Sequence, residues 1–529
     1  MMFIVKVPYC LSMKSKITTS EIALRDGSND SPWQAGPAGS VIPKNATLLK
    51  DVVYDAVIIG GGITGITTAL LLQSAGRQCL IAEAYTIGFG TSGGTSAHIN
   101  TFADTTYKEA ESAFGKEGAE LFAAAINEGF SIIRENIKAH RVSCDFEEKK
   151  GYVYAEDDKQ VDELQDIHGG IANVGLQVRY TKNVPTPIQY KKAIELDGQA
   201  QFHPFKYIAG LLKAYLKAGG ILLENASVTK VDSRDDSHVV RAGTFSIRTK
   251  NVTYATHIPP GMNIFSLRCA PYRSYVLGVT LTDNNYPDAL VYDMQEPYHY
   301  FRTHELDGKK CLIAGGNDHK TGHDDPEQAF ADLEKYVRKH YKVKNVDYRW
   351  SSQYYVPVDG FPYIGQMPGQ DKGIYCATGY NGNGMMLGSI AGKILTDLIV
   401  DGKSKYEKIF DPGRIKPMAG FKEFISENAD VAYQFVASRF KAHEVDFLKR
   451  VQKDTGKLVE FDGRQIAVYR DAEGNIHALN PVCTHAKCIV NWNSEEKSWD
   501  CPCHGARYDI DGNVLNGPAD KGLEQINIE

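Results

Sequence analysis

The sequence predicts an α/β chain in three parts: a domain built on a βαβ unit, an antiparallel sheet inserted into it, and a separate all-β module near the C-terminus. Three observations carry this. An apolar run, Val57-Ile58-Ile59, enters Gly60-x-Gly62-x-x-Gly65 and passes into a helical repeat through Leu70, Leu71 and Leu72. From about Phe265 to Trp350 the texture changes to alternating, tyrosine-rich segments. Four of the ten cysteines, Cys483, Cys488, Cys501 and Cys503, crowd into one short stretch.

At 529 residues the chain exceeds what one core supports and suggests about three domains. A hydrophobic content of 43% and a charged content of 23% are ordinary for a globular protein. The net charge of -6, with basic residues scattered, gives no reason to expect nucleic acid or an anionic membrane as partner. No apolar run approaches the roughly 20 residues of a bilayer span. The opening MMFIVKVPYCLSM lacks a basic leader and a small-residue cleavage site, so no signal peptide is expected, Met13 is a candidate start, and the expected location is cytoplasmic.

The βαβ unit explains itself residue by residue. Gly60 permits the tight turn, Gly62 lets backbone approach a pyrophosphate, and Gly65 lets helix and strand pack closely. Glu83, ending the second strand, is placed for ribose hydroxyls. The competing reading is a glycine-rich turn in some other α/β sheet. Residues 1–50, rich in Ser, Gly, Pro, Asn and Lys, are expected to form an arm over this domain. The stretch from Gly88 to Asp104, which includes Thr91 and Ser92, reads as a loop whose backbone donors face a cofactor, against the alternative of a flexible loop. Helical patterning follows from about Glu109 to His140, and EDDKQVDELQD reads as a solvated helix face. A helix with apolar positions Ile208, Leu211, Leu212, Tyr215 and Leu216 leads through Gly219-Gly220 to a strand on which Val228 is assigned to the cofactor. The run ending at Ala255-Thr256-His257 reaches the same sheet. Most tyrosines of the insert (Tyr272, Tyr275, Tyr292, Tyr298 and Tyr300 among them) are expected to be packing residues. A second strand-to-helix junction, Gly379-x-x-Gly382-x-Gly384, reads either as another phosphate loop or, given its distance from the first, as a helix N-terminus aimed at a flavin ring, where it would stabilise negative charge.

After a polar stretch read as a linker, Cys483-Thr-His485 and Cys501-Pro-Cys-His504 bring two thiolates and two imidazoles on two loops. Zinc is the competing metal. Each loop, however, carries one cysteine beyond the four ligands. The pattern CTHAKC with CPCHG resembles the Rieske 2Fe-2S family. That resemblance implies that Cys483 and Cys501 hold one iron, that His485 and His504 hold the other, and that Cys488 and Cys503 form a disulfide. High-potential members place a Ser after CPCHG and a Tyr two residues on; this chain keeps Tyr508 but has Ala506 in the Ser position.

The glycine signals together with GTSGGTSA, PYRSYVLGV, GGNDH, PVDGFPYIG and ATGYNGNG resemble the D-amino-acid-oxidase family of FAD enzymes, from about Val52 to Asp401. The implied fold is a Rossmann-like FAD-binding domain with an inserted antiparallel-sheet substrate domain. FAD would lie with its pyrophosphate at Gly60, Gly62 and Gly65, its ribose at Glu83, and its ring near Thr91, Ser92 and the Gly379, Gly382, Gly384 loop. Gly93 and Gly94 stand where covalent-flavin members carry Trp-His, so non-covalent FAD is expected. The boundaries expected are 1–50 for the arm, 51–404 for the FAD domain (substrate part about 140–195 and 265–350), 405–455 for the linker and 456–529 for the Rieske module.

The function expected is an amine or amino-acid dehydrogenase that passes electrons from flavin to the 2Fe-2S cluster and on to an unknown acceptor. Arg273 or Arg302 is expected to pair a substrate carboxylate and His319 to stand near the flavin, against structural ion pairing or turn capping. The rivals are an oxygen-reducing amine oxidase with a sensory or structural Rieske module and a non-enzymatic electron carrier.

Overall fold

The computed structural model describes residues 25–34, 52–414, 421–437 and 451–528. Met1, Met13, most of the expected arm and residues 415–420 and 438–450 of the expected linker lie outside the described residues.

The strand Val53–Ile59 lies at the heart of an eight-stranded sheet, parallel to Cys79–Ala82 on one side and to Phe245–Tyr254 on the other. Ile374–Thr378 runs parallel beyond Phe245–Tyr254, and Tyr363–Gln366 closes that edge antiparallel. A strand covered on both faces is apolar where it is covered, and from Ala56 to Ile59 this one is apolar and buried. The helices Ile63–Ser74, Tyr107–His140 and Gly384–Asp401 share one core with it through Ile66, Leu70, Ile126, Ile390 and Ile394. A Cβ on Gly65 would stand 2.0 Å from the Gly60 carbonyl oxygen, so only glycine allows this helix to leave this strand.

The helical stretch expected to start at about Glu109 begins at Tyr107, capped by Thr106 with Glu109 reaching back, and it is broken once at Gly115 (φ 72). The acidic helix spans Asp158–Asn173 and buries Leu164 and Ile171.

A nine-stranded sheet forms the second layer, in the order Val343–Pro357, Cys269–Leu281, Lys309–Lys320, His299–Leu306, Leu290–Tyr292, Glu147–Ala155, Lys192–Gln201, His98–Ile99, with Arg179–Thr181 beside Lys192–Gln201. It differs from the expected antiparallel insert in one respect: Leu290–Tyr292 pairs with Glu147–Ala155 in parallel. Helix Pro326–His340 packs Phe330, Leu333 and Val337 against it.

The C-terminal module has a three-stranded sheet (Thr455–Phe461, Arg464–Arg470, Ile476–Leu479) and a four-stranded one (Asn491–Asn493, Ser498–Asp500, Arg507–Tyr508, Val514–Asn516). Between the two bodies runs helix Phe421–Ala437. Its Glu427 and Asp430 pair with Lys320 at 2.7 and 2.8 Å, so this part of the expected linker is a docked element. No helix among the described residues is long and apolar enough to cross a membrane.

Candidate functional site

The sheet ends and the C-terminal module enclose a cavity of about 1340 Å³. Its floor is the first glycine turn. Gly60, Gly62, Glu83, Thr91, Ser92 and Val228 line it, as do Gly382 and Gly384 of the second glycine loop. Gly65 and Gly379 do not: Gly65 acts by close packing, and Gly379 supplies a left-handed turn (φ 76).

Helix Ile63–Ser74 begins at Gly62 and helix Gly384–Asp401 at Asn383; neither N-cap side chain bonds its own helix, and the Ile63 amide donates to Ser92 Oγ at 3.1 Å. The other first-turn N–H groups of both helices face one space, which suits a pyrophosphate and an electron-rich ring. Glu83 accepts from the Gly61 and Tyr85 amides at 2.6 and 2.8 Å, and burial raises its carboxyl above the ordinary range. These groups fit FAD.

The opposite wall comes from the nine-stranded sheet: Ser274, Tyr292, Tyr298, Tyr300, Asp318 and Tyr354 line the cavity. Tyr292, Tyr298 and Tyr300, expected to be packing residues, thus face the cavity, whereas Tyr275 packs behind it. A Cβ on Gly315 would lie 2.1 Å from Tyr300 Cζ, so glycine makes room for that ring. Arg273 pairs with His319 and Tyr275 with Gly316, which leaves Asn317 and Asp318 together opposite Ser274. Asn317 takes a left-handed φ of 55 in this bulge. Bulges re-aim side chains, and this one turns Asp318 into the cavity. The Tyr354 hydroxyl donates to Asp318 Oδ2 at 2.8 Å, and burial pushes the carboxyl up to about 7.

Arg273, Arg302 and His319 are not among the lining residues. His319 bonds the Tyr275 hydroxyl at 2.7 Å on the far side of the strand. Arg302 donates to the carbonyls of Ser96 (2.6 Å) and Phe202 (3.4 Å) and lies over the Trp33 ring. Arg273 belongs to the junction between domain and module. There three guanidinium groups (Arg25, Arg273, Arg507) meet three carboxylates (Asp26, Glu496, Asp500), all buried. Arg25 Nη1 reaches Glu496 at 2.9 Å, Arg507 reaches Asp500 at 3.0 Å and Asp26 at 3.2 Å, and Arg273 stands 3.7 Å from Glu496. Burial, and then Arg507 beside it, hold the Arg273 guanidinium below its ordinary value. Glu496 is itself desolvated, but its cationic neighbours, Arg25 foremost, outweigh that and hold it at about 2.

In the module, the thiols of Cys483 and Cys501 are in hydrogen-bond contact, and the rings of His485 and His504 lie 4.9 Å apart. Nδ1 of both histidines is buried without a hydrogen-bond partner. Two facing thiols and two orphaned imidazole nitrogens are the donor set of a Rieske cluster. Cys488 and Cys503 form a disulfide with Cα atoms 6.5 Å apart. The Tyr508 hydroxyl lies 3.2 Å from Cys483 Sγ.

One strand joins the two centres. Thr91 Oγ1 donates to the Gln353 carbonyl at 2.8 Å, while Gln353 Nε2 donates to the Gly505 carbonyl at 3.0 Å. The Tyr355 hydroxyl reaches the His504 carbonyl at 3.3 Å, and its ring meets His257, a cavity-lining residue, edge-on at 4.7 Å. On the other ligand loop, Ser266 Oγ lies 3.2 Å from His485 Nε2.

Comparison with known proteins agrees with both centres. The DAO family model, FAD dependent oxidoreductase, matches residues 55–398, and the Rieske [2Fe-2S] domain model matches residues 441–527. The Bacillus subtilis (strain 168) protein YhfW, whose name assigns it as a Rieske 2Fe-2S iron-sulfur protein, is 31% identical over 92% of this chain and 96% of its own length. Gamma-glutamylputrescine oxidoreductase of Escherichia coli (strain K12) is 24% identical over 71% of this chain and 90% of its own length. The crystal structure of glycine oxidase from Geobacillus kaustophilus superposes with a TM-score of 0.57 at 18% identity, covering 68% of this chain and 99% of that one. The chain therefore belongs to the DAO family of FAD-dependent oxidoreductases and carries a Rieske [2Fe-2S] domain in its C-terminal part.

Proposed function

We propose that this protein oxidises a small amine or amino acid at FAD and passes the electrons, within the same chain, to the Rieske cluster, from which an external acceptor takes them. FAD when bound supplies a two-electron acceptor able to release electrons singly, and the cluster supplies a one-electron acceptor. The protein's own part is positional. The glycine turn and Glu83 hold the nucleotide end, Thr91 and the second glycine loop hold the space for the ring, and the tyrosine wall shapes the substrate space and excludes water.

The observation that carries this reading is the Gln353–Tyr355 segment, bonded on one side to Thr91 and on the other to the loop of His504. A sensory or merely structural module would have no need of its ligand loop against the cofactor wall. The test is anaerobic addition of n-butylamine to the holoprotein, followed by electron paramagnetic resonance. The reading predicts the signal of a reduced Rieske cluster. Bleaching of the flavin with the cluster left oxidised would overturn it and favour the oxidase.

A further inference from the structure

The cavity also limits which substrate it can take. We infer that Asp318 binds the ammonium group of the substrate and accepts its proton, and that the site takes an amine carrying no carboxylate beside the nitrogen. This rests on the reading that the tyrosine wall faces the flavin.

The first support is the charge on the cavity wall. Its basic lining residues are Arg25, Lys497, His98 and His257. Arg25 is paired with Glu496 and Lys497 with Asp454, at 2.9 and 2.8 Å. Burial holds His98 well below its ordinary value and His257 at about 4, so both are neutral at pH 7. Among the described lining residues no uncommitted cation is left for a carboxylate. Arg273 and Arg302, the side chains expected to supply one, point elsewhere.

The second support is the geometry at Asp318. Tyr354 satisfies Oδ2, whereas Oδ1 is buried without a hydrogen-bond partner. A bulge turns this carboxylate inward among tyrosine rings, an environment that attracts a cation through both charge and ring faces. The groups facing it are Tyr354, Ser274, Tyr298 and Tyr300, with Asp104, Tyr275 and the Asp293-paired His299 beyond them. None offers it a direct positive partner. A substrate ammonium would be that partner.

The proton step balances simply. One N–H bond of the ammonium breaks and one O–H bond forms on Asp318, leaving a neutral amine whose lone pair is free to assist hydride loss, and a neutral carboxylic acid. The carboxyl at about 7 is matched to this exchange near neutral pH. Its ionised form, which binds the cation, gains population as the pH rises through that value.

The test uses the holoprotein and three probes with a short alkyl chain and different head groups: n-butyltrimethylammonium, butyrate and n-butanol, each titrated against the visible spectrum of the flavin. The expectation is saturable perturbation by the ammonium probe alone, weakened at least tenfold in Asp318→Asn and restored in part in Asp318→Glu. For reduction by n-butylamine, the rising limb of the rate near pH 7 should disappear in Asp318→Asn. Butyrate binding as tightly as the ammonium probe, or unchanged probe affinity and pH limb in Asp318→Asn, would overturn the inference. Where Asp318→Asn fails to fold, the wild-type probe series still tests the preference for a cation, and Asp318→Glu with the pH limb of wild-type reduction tests the carboxylate. Photoreduction of the flavin, which needs no substrate, tests transfer to the cluster separately, so loss of either reading leaves the other measurable.

Discussion

Glu496→Gln removes the charge at the centre of the buried junction and leaves the shape nearly unchanged. The Glu496 side chain is fully buried, faces Arg25 at 2.9 Å and Arg273 at 3.7 Å, and accepts from the Ser351 amide and hydroxyl at 2.9 and 2.5 Å. Its carboxyl falls from 4.5 to about 2 on folding. At about 1.36 kcal/mol per pKa unit that is on the order of 3 kcal/mol, within the roughly 3 to 5 kcal/mol that follows loss of one partner from a buried pair. Because the folded value is depressed, this stabilisation is complete above the unfolded value and is lost as the pH falls from there through about 2. The variant should therefore be weaker than wild type at pH 7 by about 3 kcal/mol, with the difference shrinking in acid. Denaturant unfolding followed by the visible circular dichroism of the cluster measures it. An unchanged midpoint at pH 7 would refute the assignment of these charges to holding the module in place.

Three further outcomes are expected. Gly62→Val puts a Cβ 2.9 Å from Ser92 Oγ and bulk over the phosphate turn, so the protein should lose FAD while keeping the cluster spectrum; retention of stoichiometric FAD would contradict the site. Ala506→Ser adds a hydroxyl at a fully buried position whose carbonyl already bonds the Cys501 amide at 2.8 Å; at roughly 1.5 to 3 kcal/mol for a charge-assisted bond, the midpoint should rise by up to about 60 to 130 mV in protein-film voltammetry, and an unchanged or lowered value would be contrary. Arg302→Met should lower thermal stability through its bonds to Ser96 and Phe202 yet leave ammonium-probe affinity unchanged; a selective loss of substrate binding would return Arg302 to the site.

What the sequence made legible was chemistry written locally. The glycine turn, Glu83 and the two Cys/His loops each place their groups through backbone conformation a few residues long, so spacing alone announces them. The substrate wall is set by strand register instead. Arg273 and His319 stand one residue from Ser274 and Asp318, and in a strand one residue is the difference between the two faces. The bulge at Asn317 adds a further offset that no period-two reading contains. Likewise nothing near Arg25 in the chain foretells Glu496, 471 residues away. The GGNDH run was the available signal: paired glycines before Asn-Asp in an otherwise regular strand mark a bulge and a close ring approach.

The proposed transfer between the two centres is tested most directly by flash photoreduction of the flavin in the full chain, with no substrate present, while the cluster's visible absorbance is followed. A single first-order reduction of the cluster at a rate independent of protein concentration is the predicted result. A rate that scales with concentration, or no cluster reduction while the flavin stays reduced, would contradict electron flow within one chain.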